Sequence, residues 1–432
     1  MSKEKYGLKG TPNLGLAGAT LGFFVGFAAV ALFGPTAKKL QGVMGFSATM
    51  LGFLVAAPNL TGSLLRIPFG AWVDKVGGKK PLIVLLVISI IGMIGLTSIL
   101  YFNYPDNLGM SYYPLAFFFG LLSGSGVATF SVGIPQTSYW FPLNKQGISL
   151  GTYAGLGNTA PGIFTVLLPF ALISFGLAGS YLAWTIFLIT GLIIYAYISH
   201  DAYYFQLINK GKTRDEAVTI ARELGEELIP TGQLVQALKE SAKIGRTWAL
   251  VFLYFTSFGG FLALTVWFPS YWLHYYGFDL KTSALLGGVG FSLLASFIRV
   301  YGGHLSDRKG GEIVAVLGFV TVAFGSLIMI FSGTFIFSLL GELLIGIGMG
   351  IANAAVFKLV AKYVPEAVGG ASGWVGGLGA FGGFAVPPLL GLFVDLYGKN
   401  GYASGFIIYV LLAIACLITS LVLKKKFQLK SV

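Results

Sequence analysis

The chain is a succession of apolar runs broken by short polar stretches. Each run is roughly 20 residues or longer, enough for a helix to cross ~30 Å of hydrocarbon. The runs centre near Gly26, Leu60, Ile91, Thr129, Gly162 and Leu192, then near Gly260, Leu294, Thr321, Ile347, Phe381 and Ala413. Twelve transmembrane helices are predicted. One polar stretch is much longer than the others: His200 to Arg246 carries Asp215, Glu216, Glu223, Glu226, Glu227 and Glu240 among basic residues. It reads as a solvated linker, with about Thr213–Leu228 able to form an amphipathic surface helix. The expected layout is a six-helix bundle over residues 1–200, a linker over 201–246 and a second six-helix bundle over 247–432.

Composition agrees with an all-α polytopic membrane protein. Of the 432 residues 56% are hydrophobic and only 10% charged, against about 25% charged in an ordinary soluble chain. Cys416 is the only cysteine, which excludes an intramolecular disulfide and a Cys-rich metal site. His200, His274 and His304 follow no metal-ligand spacing, and no nucleophile–base pair stands out, so neither a cofactor, a metal nor an enzymatic activity is expected. Gly211-Lys212-Thr213 lacks the first glycine of a phosphate loop, because Gln206 stands there.

The net charge of +12 is a matter of topology rather than of nucleic-acid binding. Basic residues gather at Lys75, Lys79 and Lys80, at Lys145, through Lys210–Arg246, at Arg308 and Lys309, at Lys362 and at Lys424–Lys426. The positive-inside rule places these ends, and with them both termini, in the cytoplasm. Lys38 and Lys39 fall on the opposite side. The first apolar run, from near Leu14, is long enough to remain as a span instead of a cleaved signal.

Two arginines lie inside apolar runs, where a charge costs several kcal/mol unless a partner or a function keeps it. Each opens the same pattern: Arg66, Gly70, Asp74 and Arg299, Gly303, Asp307, at a constant offset of 233 residues (299 − 66, 303 − 70, 307 − 74). Asp74 marks a span end, so Arg66 lies roughly 12 Å deeper, near mid-membrane; the same holds for Arg299 and Asp307. Of the 16 acidic residues, only Glu342 falls clearly inside a span, too few to pair both arginines. Lys358 is a third intramembrane cation, nearer a span end. Guanidinium groups facing each other ~8 Å apart repel by about 2 kcal/mol at an effective dielectric near 20, which a bound anion would relieve. A planar fork suits a planar oxyanion.

Span five carries Gly147, Gly151, Gly155 and Gly157; span eleven carries Gly369, Gly373, Gly377, Gly379 and Gly383. A four-residue spacing aligns one helix face and lets helices approach closely. Asn158 is a polar group at mid-span and a candidate substrate contact. Phe130 and Phe357 occupy matching places on spans four and ten, and Tyr254 and Phe258 share a face of span seven; by themselves these four read as packing residues.

The stretch Gly70-Ala71-Trp72-Val73-Asp74-Lys75-Val76-Gly77-Gly78-Lys79-Lys80 and its echo Gly303-His304-Leu305-Ser306-Asp307-Arg308-Lys309-Gly310-Gly311 resemble the loop signature of the major facilitator superfamily. Ala154-Gly155-Leu156-Gly157-Asn158 and Gly369 to Gly379 resemble the paired signatures of its nitrate/nitrite porter family. The resemblance implies that Arg66 and Arg299 sandwich nitrate or nitrite, with Asn158 and Tyr254 beside it and Phe130, Phe258 and Phe357 as walls or gates. It departs at Ala160, where the family more often has glycine, and at Lys358, where a neutral polar residue is expected.

These features imply a secondary transporter working by alternating access: a monomer in the cell (inner) membrane, in contact with lipid and a small inorganic anion, serving nitrate assimilation. Two unpaired cations would disfavour return of an empty site and so favour nitrate/nitrite exchange. A cavity-lining Glu342 would instead allow proton-coupled uptake, or could be a structural partner of a neighbouring helix. Other readings are an exchanger of small carboxylates such as formate or oxalate, or an anion sensor acting through the linker.

Overall fold

The computed structural model describes residues 3–230 and 234–428, and of Leu143, Gly147, Leu234 and 426–428 only the backbone. Among the described residues, 11 helices are long and apolar enough to cross a membrane. Ten are the predicted spans one to four and seven to twelve: Pro12–Ala31, Ala48–Val76, Lys79–Asn103, Met110–Trp140, Gly245–Tyr275, Leu280–Lys309, Gly311–Phe331, Phe335–Tyr363, Pro365–Ser404 and Ile407–Lys425. The remaining one, Ile148–Ile198, holds two crossings. Its part Ala160–Ile198 would be about 58 Å long if straight, nearly twice the hydrocarbon depth. Gly176, at φ +67° and ψ −175°, folds it back; that backbone region is open only to glycine. Phe164 consequently packs 4.8 Å from Trp184 and 4.9 Å from Phe187, contacts that only a hairpin allows. Spans five and six meet at this bend, giving twelve crossings.

Helices are the form in which an isolated segment satisfies its own backbone in lipid. The spans depart from regular α geometry where glycine, proline or a tight approach intervenes. Span two contains Pro58 and turns at Leu65, so that Arg66 starts a new helical segment, Arg66–Val76. Spans seven and eight each contain a π-helical stretch, Phe255–Gly259 and Leu286–Leu293. Ile91, Phe102, Ile193, Phe324, Ile336 and Ile418 are exposed, as a lipid-facing surface requires.

The linker is more ordered than a solvated connection. It forms helices Tyr203–Asn209, Arg214–Glu223 and Leu234–Ala242, the second opened by a capping box between Thr213 and Glu216. Glu226 is buried and accepts hydrogen bonds from the N–H groups of Tyr203 and Tyr204; burial pushes its carboxyl up to about 7. The last helix docks on span eleven: a Cβ at Gly370 would lie 2.0 Å from the Ala237 carbonyl oxygen, and Trp374 Nε1 donates to the Leu238 carbonyl at 2.9 Å. The face of the protein that carries the linker is called the linker face below, and its opposite the far face. On the far face a short helix, Ala37–Met44, buries Leu40 and Met44 and exposes Lys38 and Lys39, which accounts for two cations on that side.

The two bundles touch closely at the far face. A Cβ at Gly52 would lie 2.4 Å from the Pro387 carbonyl oxygen, and one at Gly391 2.2 Å from that of Ala48, so spans two and eleven pack backbone to backbone. Asp395 of span eleven accepts from the N–H groups of Ala48 and Thr49 at the start of span two, both at 2.8 Å, where a negative charge meets the positive end of the helix dipole. Spans five and eight meet where Gly162 faces Leu293 and Gly288 faces Val166. Towards the linker face the bundles diverge around a cavity of ≈ 510 Å³.

Candidate functional site

Arg66 lies at the inner end of that cavity, whose walls towards the linker include Gly70, Asp74, Ile134, Leu228 and Leu238. The arginine side chain is 1% exposed. Its Nη1 donates to the Gly376 carbonyl of span eleven at 2.9 Å, and its Nε and Nη2 are buried without a hydrogen-bond partner. The glycine motif makes the first contact possible: a Cβ at the adjacent Gly377 would press on Ile67 at 2.7 Å.

Arg299, half-buried on span eight, donates from Nη2 to the Tyr254 hydroxyl at 3.4 Å. Both arginines address the same two rings. The guanidinium carbon of Arg66 is 4.9 Å from the Phe130 centroid and 5.1 Å from that of Phe258; for Arg299 the distances are 5.9 and 5.4 Å. The rings themselves stack at 6.1 Å. The guanidinium carbons are therefore at most about 11 Å apart, and the negative ring faces offset part of their repulsion. Among the described residues neither arginine forms an ion pair.

Tyr254 stacks on Phe258 at 5.0 Å and meets Phe357 at 5.4 Å, and Phe357 also lines the cavity. Gly379 permits this: a Cβ there would be 2.7 Å from Tyr254 Cδ1. Four aromatic rings and two arginines thus form one cluster. Asn158 meets span eight at Ser296, three residues before Arg299. Its side-chain N–H donates to the Ala154 carbonyl at 2.6 Å, its Oδ1 is buried without a partner, and its own carbonyl accepts from Ser296 of span eight at 3.0 Å. Gly157 gives way to Phe23, which a Cβ would approach to 1.8 Å. Gly155 and Gly151 are not pressed by neighbours, so close packing explains the first glycine of this motif less well than its partner Gly377.

The two loop-signature stretches, around Asp74 and Asp307, sit at the linker face. Asp74 accepts a hydrogen bond from the Tyr139 hydroxyl of span four. Asp307 pairs with Lys358 of span ten, whose ammonium also donates to the Ser306 carbonyl at 3.0 Å. Lys358 is therefore committed to the loop and not to the arginine cluster. A Cβ at Gly70 or Gly303 would make only ordinary contacts. Glu342 also lies outside the cluster: it faces Gly290, which precedes Arg299 by nine residues, or roughly 13 Å along span eight.

Sequence reasoning missed three participants. Tyr153, two residues before Gly155, holds the Thr129 and Phe130 carbonyls with its hydroxyl and stacks 6.4 Å from Phe130. Ser296 and the Gly376 carbonyl act across the bundle interface. Gly376 lies inside the stretch Gly369 to Gly379 and Tyr153 between the spaced Gly151 and Gly155, so both carried a signal; Ser296 carried none.

The fold is shared with transporters of known structure. The partially occluded inward-open xylose transporter XylE from E. coli superposes with a TM-score of 0.72 at 18% identity, covering 94% of this chain and 98% of that one. In sequence, residues 19–308 and 285–430 match the Major Facilitator Superfamily. A Thermus thermophilus protein named "Probable nitrate/nitrite antiporter NarK1" is 30% identical, over 95% of this chain and 91% of its own. "Probable nitrate transporter NarT" of Staphylococcus epidermidis is 28% identical over 97% of both chains, and "Probable nitrate/nitrite transporter NarK2" of Mycobacterium tuberculosis 28% identical over 92% and 93%. With the arginine pair, the loop signatures and the twelve crossings in place, the chain belongs to the major facilitator superfamily and, within it, to the nitrate/nitrite porter family.

Proposed function

We propose that the protein carries nitrate and nitrite across the cell (inner) membrane by alternating access, with the anion held between Arg66 and Arg299. The carrying observation is the pair of guanidinium groups on two shared aromatic faces, with two buried nitrogens of Arg66 unpartnered and, among the described residues, no carboxylate paired to either arginine. Such a site favours a small, flat, singly charged oxyanion: planar N–H forks address its edge and flat rings its faces. Tyr254 and Asn158 complete the polar lining, and Phe130, Phe258 and Phe357 exclude water. Gly155, Gly157, Gly377 and Gly379 position the clamp; Gly70, Asp74, Gly303 and Asp307 serve the loops that exchange partners as the bundles rock.

The basic residues of the linker face make it the cytoplasmic face by the positive-inside rule, with both termini on that side. The protein is then open to the cytoplasm and closed outside by spans two and eleven. Residues 1–200 and 247–432 move as two bodies joined by 201–246, and the monomer is the working unit.

Reconstituted protein in nitrite-loaded vesicles should take up labelled nitrate. Unlabelled nitrate and nitrite should compete for that uptake about tenfold or more better than formate, oxalate or chloride. Stronger competition by formate or oxalate would reassign the substrate to small carboxylates.

A further inference from the structure

Glu342 is fully buried in span ten and belongs to neither the arginine cluster nor the loops. Its Oε2 accepts from Trp272 Nε1 at 2.9 Å, its Oε1 has no partner, and among the described residues it forms no ion pair. A carboxylate with one hydrogen bond and no cation is a costly occupant at this depth, whereas the neutral acid is not.

The surroundings suggest what the acid is for. One helical turn towards the far face, Ser338 gathers hydroxyls: Tyr271 donates to its Oγ at 2.9 Å, Tyr276 lies at 2.7 Å, and Ser332 is in contact. Tyr276 is only half-buried and precedes the exposed Gly277, so this hydroxyl chain runs from the far surface to within a turn of the carboxyl. The remaining step, about 5–6 Å along one helix face, is the span of one bridging water. Among the described residues, the titratable group that faces Glu342 is the phenol of Tyr271 on span seven; Tyr276, just beyond that span, is reached through Ser338. Span eight presents Gly290 to it and Phe291 to Gly346 one turn on, and span nine presents Gly325 and Met329 to the neighbouring Gly341.

On the other side of the carboxyl is the π-helical stretch Leu286–Leu293 of span eight. A Cβ at Gly290 would lie 3.8 Å from Oε2. π-helical turns are uncommon and recur at functional sites, and this one continues directly into the helix bearing Arg299. The repeat-equivalent position in span four is Leu115, using the offset that relates Phe130 to Phe357 (357 − 130 = 342 − 115), and it is an exposed apolar residue. The acid is therefore an addition to one half, not part of the shared scaffold.

We infer that Glu342 is a proton-binding site, loaded from the far face through Ser332, Tyr276, Ser338 and Tyr271, that couples anion movement to proton uptake. Water at the far end supplies the proton; the ionised carboxylate accepts it when the far face is open. The neutral acid then allows span eight to pack against span ten as the far face closes. When the linker face is open the acid gives its proton to water on that side and becomes the carboxylate again, so that one proton enters with each singly charged anion and net uptake is electroneutral. This rests on the anion-clamp reading of Arg66 and Arg299.

The test uses full-length protein in vesicles in two arms: nitrate uptake against internal nitrite, and nitrate uptake into nitrite-free vesicles driven by an acid exterior, with a luminal pH dye. Wild type should perform both and acidify the lumen in the second. Glu342→Gln, a stand-in for the neutral acid, should keep exchange within about twofold while losing at least about tenfold of gradient-driven uptake, together with the acidification. Glu342→Asp should restore part of it. Wild type active only in exchange overturns the inference and leaves the clamp intact; wild type inactive in both arms overturns the two together. Gradient-driven uptake surviving in Glu342→Gln overturns it too. Loss of both arms in the Gln and Asp variants alike assigns Glu342 a structural role and has the same result.

Discussion

The two halves carry the same pattern and use it differently. In the first half Arg66 is fully buried, reaches across the interface to the Gly376 carbonyl and keeps two nitrogens free. In the second, Arg299 is half-buried and rests on Tyr254 of its own bundle. Asp74 is held by a tyrosine hydroxyl, Asp307 by a lysine ammonium. Span two is shaped by Pro58, span eight by a π-helical stretch. Asp395, which ties the far face, corresponds to Ile173 by the offset that relates Gly155 to Gly377 (377 − 155 = 395 − 173). The repeat thus supplies what symmetry can supply, two cations at one depth around shared rings. The departures from it supply what symmetry cannot: a preferred closure and a place for a coupling ion.

The largest test of this contrast is the arginines themselves. Arg66→Lys keeps the charge but loses the fork at the residue with unmet donors. Two charge-assisted hydrogen bonds are at stake, so nitrate/nitrite exchange should fall on the order of 100-fold. Arg299→Lys, already anchored by Tyr254, should lose about tenfold. Equal losses would erase the asymmetry. Next come the shared rings. Phe258→Ala removes the face nearer to Arg299, and Phe130→Ala the face nearer to Arg66. Each should raise the apparent KM for nitrate about five- to tenfold, as expected for one cation–π contact in a dry site, and the ratio of the two reports which arginine depends more on its ring.

A smaller effect separates the paired glycines. Gly377→Ala pushes a methyl group against Ile67 and should lower thermal stability by about 1–3 kcal/mol. Gly155→Ala, with only Val300 Cγ2 at 3.8 Å, should be close to neutral. A thermal melt of both variants reads this directly. Smallest is the far-face tie. Asp395→Asn weakens a charge–dipole contact worth about 0.5–1 kcal/mol and should shift the bundle equilibrium two- to fivefold towards far-face opening. The accessibility of a reporter cysteine on the far-face half of span two measures it. No change would assign the closure to the glycine–proline contacts alone.

Much of this architecture was legible in the chain. Apolar runs of membrane length fix the crossings, and the cost of a buried charge singled out Arg66 and Arg299. What was not legible lies between elements. Nothing local marks Gly176 as the glycine that takes φ +67° and folds one long helix into two spans. The Gly376 carbonyl and the Ser296–Asn158 bond join residues from different halves, which no periodicity reveals. Lys358 looked like a third cation of the interior, but its four-carbon stem carries the ammonium to Asp307 at the linker face. The linker read as solvated because its composition is polar; its packing on span eleven depends on a glycine, Gly370, that a sequence assigns to the membrane.

The claim at the centre is that the anion sits between the two guanidinium groups. An experimental structure of the full-length protein at saturating nitrate tests it most directly. The account predicts flat density between Arg66 and Arg299, against the faces of Phe130 and Phe258, with its oxygens about 2.8–3.2 Å from Nε and Nη2 of Arg66. Nitrate bound elsewhere, for instance beside Lys358 at the linker face, with the arginine pair unchanged, would contradict it.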